Sequence, residues 1–505
     1  HAAQLLVPRE LVSERIVKTE AGLVRGSVAG SVTRFLGVPY AAAPLGSRRF
    51  AAPQPSPPWP DVRDARTRGP NAPQVLRPFP QLDVSPLIGT GWRRGEEFLN
   101  ADIYTPETQN ARLPVMVFIH GGAWVAGCNN VAVQDGTAFA RSGVVCVNIN
   151  YRLGIEGFLP IPGAPTNLGL RDQLAALRWV RDNIEHFGGD ACNVTVFGES
   201  AGAMSIADLV TSPLAKGLFR RAIIQSGHGS MVRSIEVANR LTRRLAKMLG
   251  VRANLAGFAS RTVEECLRVV DLIQQPTTRI DLRDEQGHEP AFGLSRFLPV
   301  YGDDVLPEPP LAALEKGVGA ECDLLIGTNA EEMNIYLVPT GVKRTIGRWP
   351  ARLALGRSQP HAGAILKAYG LGQAGTLPGV AFTDALHDLV FRLPARHFAA
   401  AHRGRAHFYE FGWRSNAFNS ELGACHALEL PFVFNNLASC SGPNALAGTA
   451  APQDVAERIH RLWLSFAHDG ALPWAPYENG TRQVFALERG VAALDAEMAA
   501  ARFWP

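Results

Sequence analysis

Val194-Thr195-Val196-Phe197-Gly198-Glu199-Ser200-Ala201-Gly202 is the stretch on which the reading of this 505-residue chain turns. A β-type run enters a glycine, then a G-x-S-x-G pattern, then an Ala/Met/Ile-rich segment that can open a helix. A sharp strand-to-helix turn lifts the hydroxyl at the turn out of the sheet, and flanking glycines remove side chains that would collide there. Alone, the same letters could mark a helix entry with a packing serine. Their surroundings carry more. Upstream, 115–119 and 144–149 are continuous apolar runs, as strands buried on both faces require. A helix follows, with Leu170, Leu174, Leu177, Val180 and Ile184 at steps of three and four, stopped by Gly188-Gly189. Downstream, 222–224, 324–326 and 407–411 read as strands, and a helix carrying Leu241, Leu245 and Met248 ends at Gly250, a glycine cap. This alternation predicts an open, mainly parallel, twisted α/β sheet with helices on both faces.

Composition narrows the possible functions. With 46% hydrophobic residues the chain can bury a core, which excludes intrinsic disorder. Fifty Lys+Arg against 46 Asp+Glu leave only +4, too little to argue for nucleic acid. No apolar run approaches the ~20 residues that span a bilayer. The seven Cys include no C-x-x-C pair, which removes zinc ribbons and thioredoxin-like sites. No His/Cys/Asp/Glu cluster has zinc-ligand spacing and no glycine loop would cradle phosphate, so neither a metal nor an organic cofactor is expected. Gly89-Thr90-Gly91 with Gly95 has the wrong spacing for a dinucleotide fingerprint. Residues 1–15 read as an N-terminal tail lacking the basic-then-apolar layout of a signal peptide. Because the chain begins at His1, cytoplasmic and exported locations both stay open, as does oligomeric state.

Hydrolysis through Ser200 would need donors for a developing oxyanion. His120-Gly121-Gly122-Ala123-Trp124 follows the 115–119 strand directly, where glycines let backbone N–H groups of Gly121 and Gly122 face a substrate, and Ala201 N–H supplies another. An acid and a histidine should follow in the order Ser, acid, His, just past strand ends. Candidates are Glu331 and Glu332 after 324–326, and one of the 13 histidines. Position alone selects none of these.

The chain resembles the type-B carboxylesterase and cholinesterase family of α/β-hydrolases over nearly its whole length. Phe35-Leu36-Gly37-Val38-Pro39-Tyr40-Ala41, Asn150-Tyr151-Arg152-Leu153-Gly154, Asp172-Gln173, Phe187-Gly188-Gly189-Asp190, Gln225-Ser226-Gly227 and Arg502-Phe503-Trp504 carry the resemblance. It implies an α/β-hydrolase fold in which 16–505 form one catalytic domain, with insertions at roughly 228–320 and 335–405 shaping the substrate pocket. It implies an acid five residues after Gly327, which is Glu332, and a histidine three residues before a Glu and ahead of Pro431-Phe432-Val433-Phe434, which is His426. By the same resemblance, Ser200, Glu332 and His426 form a triad that cleaves small-molecule carboxylic esters through an acyl-enzyme, with Glu199 and Ser226 behind it tuning the histidine. Activity should then rise with pH through the usual histidine range, about 6–7.

Departures from the family are informative. Gly69-Pro70-Asn71-Ala72-Pro73-Gln74 and Glu96-Glu97-Phe98-Leu99 both lack the cysteines that many exported relatives pair, which implies that this disulfide is not used here. Met333 stands where a glycine usually follows the acid, and 299–303 departs from the family loop. Phe297 falls at a family acyl-pocket position; Trp124, Met231, Met333 and Tyr336 are near enough in sequence to join it, a lining suited to an apolar acyl or aryl ester. Each could equally be core, and Arg233 could be a surface residue or hold an anionic ester. Rival readings are an amidase, lactonase or detoxifying hydrolase with the same triad, and a non-catalytic adhesion protein, against which the intact triad argues.

Overall fold

The computed structural model describes residues 13–77, 79–106 and 111–504. Seven parallel strands form the centre of the sheet: β1 (Leu113–Ile119), β2 (Val145–Ile149), β3 (Gly189–Glu199), β4 (Arg221–Gln225), β5 (Asp323–Asn329), β6 (Ala406–Phe411) and β7 (Gln483–Ala486), in the spatial order β2-β1-β3-β4-β5-β6-β7. Antiparallel strands continue it on both sides, Asn100–Thr105 beside β2 and Val491–Leu494 beside β7. Beyond Asn100–Thr105 lie Val32–Pro39, Leu23–Ala29 and Ser13–Lys18. That last strand begins inside the stretch read as a tail; the rest of that tail, 1–12, lies outside the described residues.

The apolar runs are buried because both sheet faces are covered. Val115, Val117 and Ile119 of β1 join one core cluster, whereas Met116 and Phe118 join the other. Alternation with period two sends successive side chains to opposite faces, so a strand between two helical layers has no polar side. The covering helices include α1 (Leu168–Asn183), α2 (Ala201–Thr211), α3 (Ile235–Leu249), α4 (Arg348–Gly356) and α5 (Gln453–Asp469). As expected, α3 stops at Gly250 in the left-handed region, φ 66°. α1 stops at Asn183, and a short 3-10 turn carries Ile184 to Gly188, also left-handed. The stretches 228–320 and 335–405 fill the β4–β5 and β5–β6 connections with short helices. No helix among the described residues is long and apolar enough to cross a membrane.

One buried ion pair ties the family motifs together. Arg152 reaches Asp172 on α1 through Nε (2.8 Å) and Nη2 (2.7 Å), with both side chains wholly buried. Its remaining nitrogen, Nη1, donates to the carbonyls of Arg49 and Ala51, which anchors the N-terminal loop under the site.

Candidate active site

Everything that matters chemically lies at the C-terminal ends of neighbouring parallel strands, where open α/β sheets build sites. Ser200 joins β3 to α2 at φ 56°, ψ −126°, a costly conformation for a residue with a Cβ. The turn is tight because β3 lies against β1. A Cβ on Gly198 would sit 2.6 Å from Ile119 O, and one on Gly202 would strike the same oxygen. Both motif glycines are therefore required by contact.

Gly121 lies against Ser200; a Cβ there would stand 3.1 Å from Ser200 Cβ. The Val125 and Ala126 N–H groups fold back onto Gly122 O at 3.1 and 3.0 Å and fix the turn. Among the described residues no acceptor takes the N–H of Gly121, Gly122 or Ala201. These N–H groups stay open, that of Gly121 on a residue packed against Ser200. Trp124 is buried against Phe158, and its indole N–H donates to Ser205 Oγ on α2 at 3.1 Å. It pins the glycine segment to the helix that follows Ser200.

Glu332, after β5, is fully buried and receives three donors: His426 Nδ1 at 2.6 Å on Oε2, and Ser226 Oγ (2.6 Å) and Asn329 N–H (2.8 Å) on Oε1. Glu331 points elsewhere, pairing with half-exposed Arg414 at 3.1 Å and accepting from Ala424 N–H. Met333 has φ −78°, ψ −6°, which needs no glycine, and its N–H donates to His387 Nδ1 at 3.0 Å. The substitution at 333 therefore leaves the acid undisturbed. On its other side, His426 Nε2 stands 3.0 Å from Glu199 Oε1, an ion-pair distance without hydrogen-bond alignment, so this nitrogen has no hydrogen-bond partner among the described residues.

Residues 13–504 match the carboxylesterase family. The chain belongs to that family. It is 34% identical to the para-nitrobenzyl esterase of Bacillus subtilis (strain 168), over 94% of this chain and 95% of the relative. It is 33% identical to the liver carboxylesterase of Sus scrofa, covering 97% and 93%. Among solved structures, a PNB esterase superposes with a TM-score of 0.83 at 32% identity, covering 98% of this chain and all of that one. A carboxylesterase of Geobacillus stearothermophilus gives 0.80 at 31%, covering 97% and 100%. The protein is accordingly a carboxylic-ester hydrolase with the α/β-hydrolase fold.

The electrostatics of this carboxylesterase's site are unusual around His426. Burial alone would lower the imidazole's pKa, but Glu199 and then Glu332 outweigh it and hold it at about 9, above the ordinary range expected from sequence. Glu199 is itself pushed up to about 8, chiefly by burial and against the pull of His426. Glu429, which accepts from Gln225 and Asn329, is also raised by burial and by Glu332.

The other sequence candidates divide. Met333 and Tyr336 line an open cavity of about 1760 Å³, and the Tyr336 ring lies 6.0 Å from that of His426. Phe297 is buried beside the glycine segment, its N–H on Ser295 Oγ, which in turn lies 2.7 Å from Ala123 O. Met231 is core. Arg233 is not a surface residue: it is buried and paired with Glu289 at 2.5 Å. All seven cysteines are free, and burial raises the Cys128 thiol. Sequence reasoning missed Asn329, which bridges Glu332 and Glu429, and Phe391, whose ring packs 4.6 Å from His426. Asn329 ends β5, two residues before the candidate acids Glu331 and Glu332; Phe391 follows no motif.

Proposed function

We propose that Ser200 is the nucleophile of this esterase, His426 its general base and Glu332 the acid that orients it. What supports the reading is the 2.6 Å contact of Glu332 with His426 Nδ1, which fixes the tautomer with Nε2 free to act as base, together with the strained backbone of Ser200. In this mechanism Ser200 Oγ attacks the ester carbonyl while Nε2 takes its proton. Gly121, Gly122 and Ala201 N–H groups hold the oxyanion, and the imidazolium protonates the leaving alcohol. Water then attacks the acyl-enzyme, with the same base removing its proton. Glu199 and Ser226 act through His426 and Glu332. We read 16–505 as one catalytic unit, because a single sheet carries every group named. An aryl or apolar ester of modest size is the proposed substrate class, supported by the apolar side chains around the site and by similarity to a para-nitrobenzyl esterase. Turnover of p-nitrophenyl esters of increasing length, followed with an organophosphate that should leave its adduct on the Ser200 peptide, tests the reading. Inactivated enzyme without that adduct would overturn it.

A further inference from the structure

The cavity bordered by Met333 and Tyr336 carries charge that ester hydrolysis does not use. Its acids are already engaged: Asp281 is held by Arg283 at 2.9 Å, and Glu289 by Arg233. Arg77 is likewise satisfied, by Asp271. This leaves Arg279, Arg296, Arg352, Arg357 and Lys367 on the same wall with no carboxylate partner among the described residues. The whole chain nets only +4, so five unpaired cations around one cavity are a strong local excess.

Two details sharpen the point. The Arg296 guanidinium is half-buried and spends its hydrogen bonds on the carbonyls of Ile273 and Thr278, which neutralise nothing. Burial lowers its pKa, and Arg233 and Arg357 push the same way against Glu289. Between the cations the wall is apolar, lined by Leu337, Met333 and the paired rings of Phe292 and Phe382. Like charges on a concave wall with apolar neighbours focus a positive potential and attract an anion, while the apolar surface suits a hydrocarbon stem.

We propose that this cavity selects esters whose far end, on the acyl or the alcohol side, carries a carboxylate. The inference rests on the active-site assignment above, because the anion is placed relative to the ester held at Ser200. Tyr336 lies on the cavity wall within 6.0 Å of His426, so a chain of several methylenes leads from the reacting carbonyl to the cations. Most of these cations are exposed, so the expected preference is modest: about tenfold in kcat/KM, equivalent to about 1.4 kcal/mol, appearing mainly in KM.

The test uses two matched series, 4-nitrophenyl esters varied at the end of the acyl chain and 4-nitrobenzoate esters varied at the end of the alkyl chain, whose remote end, six to eight carbons away, is a carboxylate, a methylamide or a trimethylammonium group. At low ionic strength the carboxylate should lead the methylamide about tenfold in at least one series, and 0.5 M KCl should shrink the ratio. The double variant Arg352→Glu, Arg357→Glu leaves the wall close to neutral and should bring the carboxylate and methylamide esters together, an outcome that partial unfolding, which slows all three esters alike, would not produce. Equal rates for carboxylate and methylamide in both series, or a ratio that survives the double variant, would overturn the inference. Hydrolysis of the methylamide-ended ester, and its loss in Ser200→Ala, reports separately on the underlying assignment.

Discussion

Glu331 and Glu332 offer a sharp test, because two adjacent carboxylates of the same type have opposite surroundings. In Glu332→Gln the amide can still accept from Ser226 and Asn329 through its oxygen, but it then turns an NH₂ toward His426 Nδ1. The imidazole must answer with a lone pair there and a proton on Nε2, the tautomer that cannot take a proton from Ser200. In triads of this type, converting the buried acid to its amide costs about 10⁴ in kcat, or roughly 5.5 kcal/mol. A fall in kcat of about 10³–10⁴ is therefore expected, with KM little changed. Glu331→Gln removes a partly exposed ion pair with Arg414, worth about 0–1 kcal/mol, and keeps an oxygen for Ala424 N–H. It should retain kcat within about threefold. The assay is steady-state hydrolysis of a p-nitrophenyl ester, with circular dichroism and thermal melting to establish that both variants fold. A less than tenfold loss in folded Glu332→Gln, or a larger loss in Glu331→Gln, would refute the assignment.

Ser200→Ala should lower kcat by several orders of magnitude while leaving Tm nearly unchanged; retention of a tenth of wild-type kcat in clean protein would contradict the nucleophile assignment. Glu199→Gln removes the carboxylate that favours the imidazolium, and the active form is the neutral imidazole. The kcat/KM limb that rises with pH, set near 9 by burial opposed by Glu199 and Glu332, should move to lower pH by about one unit or more. An unmoved limb would show that Glu199 does not couple to His426. Asp172→Asn leaves Arg152 buried without its counter-charge and should destabilise the fold by about 3–5 kcal/mol in urea unfolding, as breaking a buried pair does. A loss below 1 kcal/mol would mean that the carbonyls of Arg49 and Ala51 suffice to hold it.

The sheet was legible from sequence because its strands are buried on both faces, which leaves unbroken apolar runs such as 115–119 that no amphipathic element produces. The serine turn was legible for a related reason. Contact with Ile119 O forbids a side chain at 198 and 202, so steric necessity is written as two glycines. Glu332 and His426 had no such mark. Both sit in irregular connections, and their adjacency is created by β5 and β6 lying side by side, a pairing that local pattern does not encode. The cation excess of the outer cavity was hidden further, because its members come from 279 to 367 and are conspicuous only after their neighbours' ion pairs are known. Arg233 shows the converse: alone in sequence it looked available, yet Glu289 already holds it.

Three carboxyl groups, Glu199, Glu332 and Glu429, crowd one histidine, all of them buried, and they are not equivalent. Glu332 is met by three hydrogen-bond donors, one of them the imidazole. Glu429 is met by two neutral amides, Gln225 and Asn329, and burial still raises it. Glu199 has only the imidazole edge, without hydrogen-bond alignment, and is raised to about 8. Glu199 is thus the carboxyl group with the fewest donors, and its interaction with the imidazole is electrostatic without a hydrogen bond. During attack on the ester, His426 becomes positive at Nε2, the nitrogen beside Glu199, while Glu332 already serves Nδ1. A carboxylate at that edge stabilises the imidazolium as it forms, while the only proton that moves is the one passing from Ser200 to His426. On that account Glu199→Gln exchanges transition-state stabilisation for a lower working pH: its plateau kcat falls while its acidic limb moves down, whereas a purely structural role would lower activity equally at every pH.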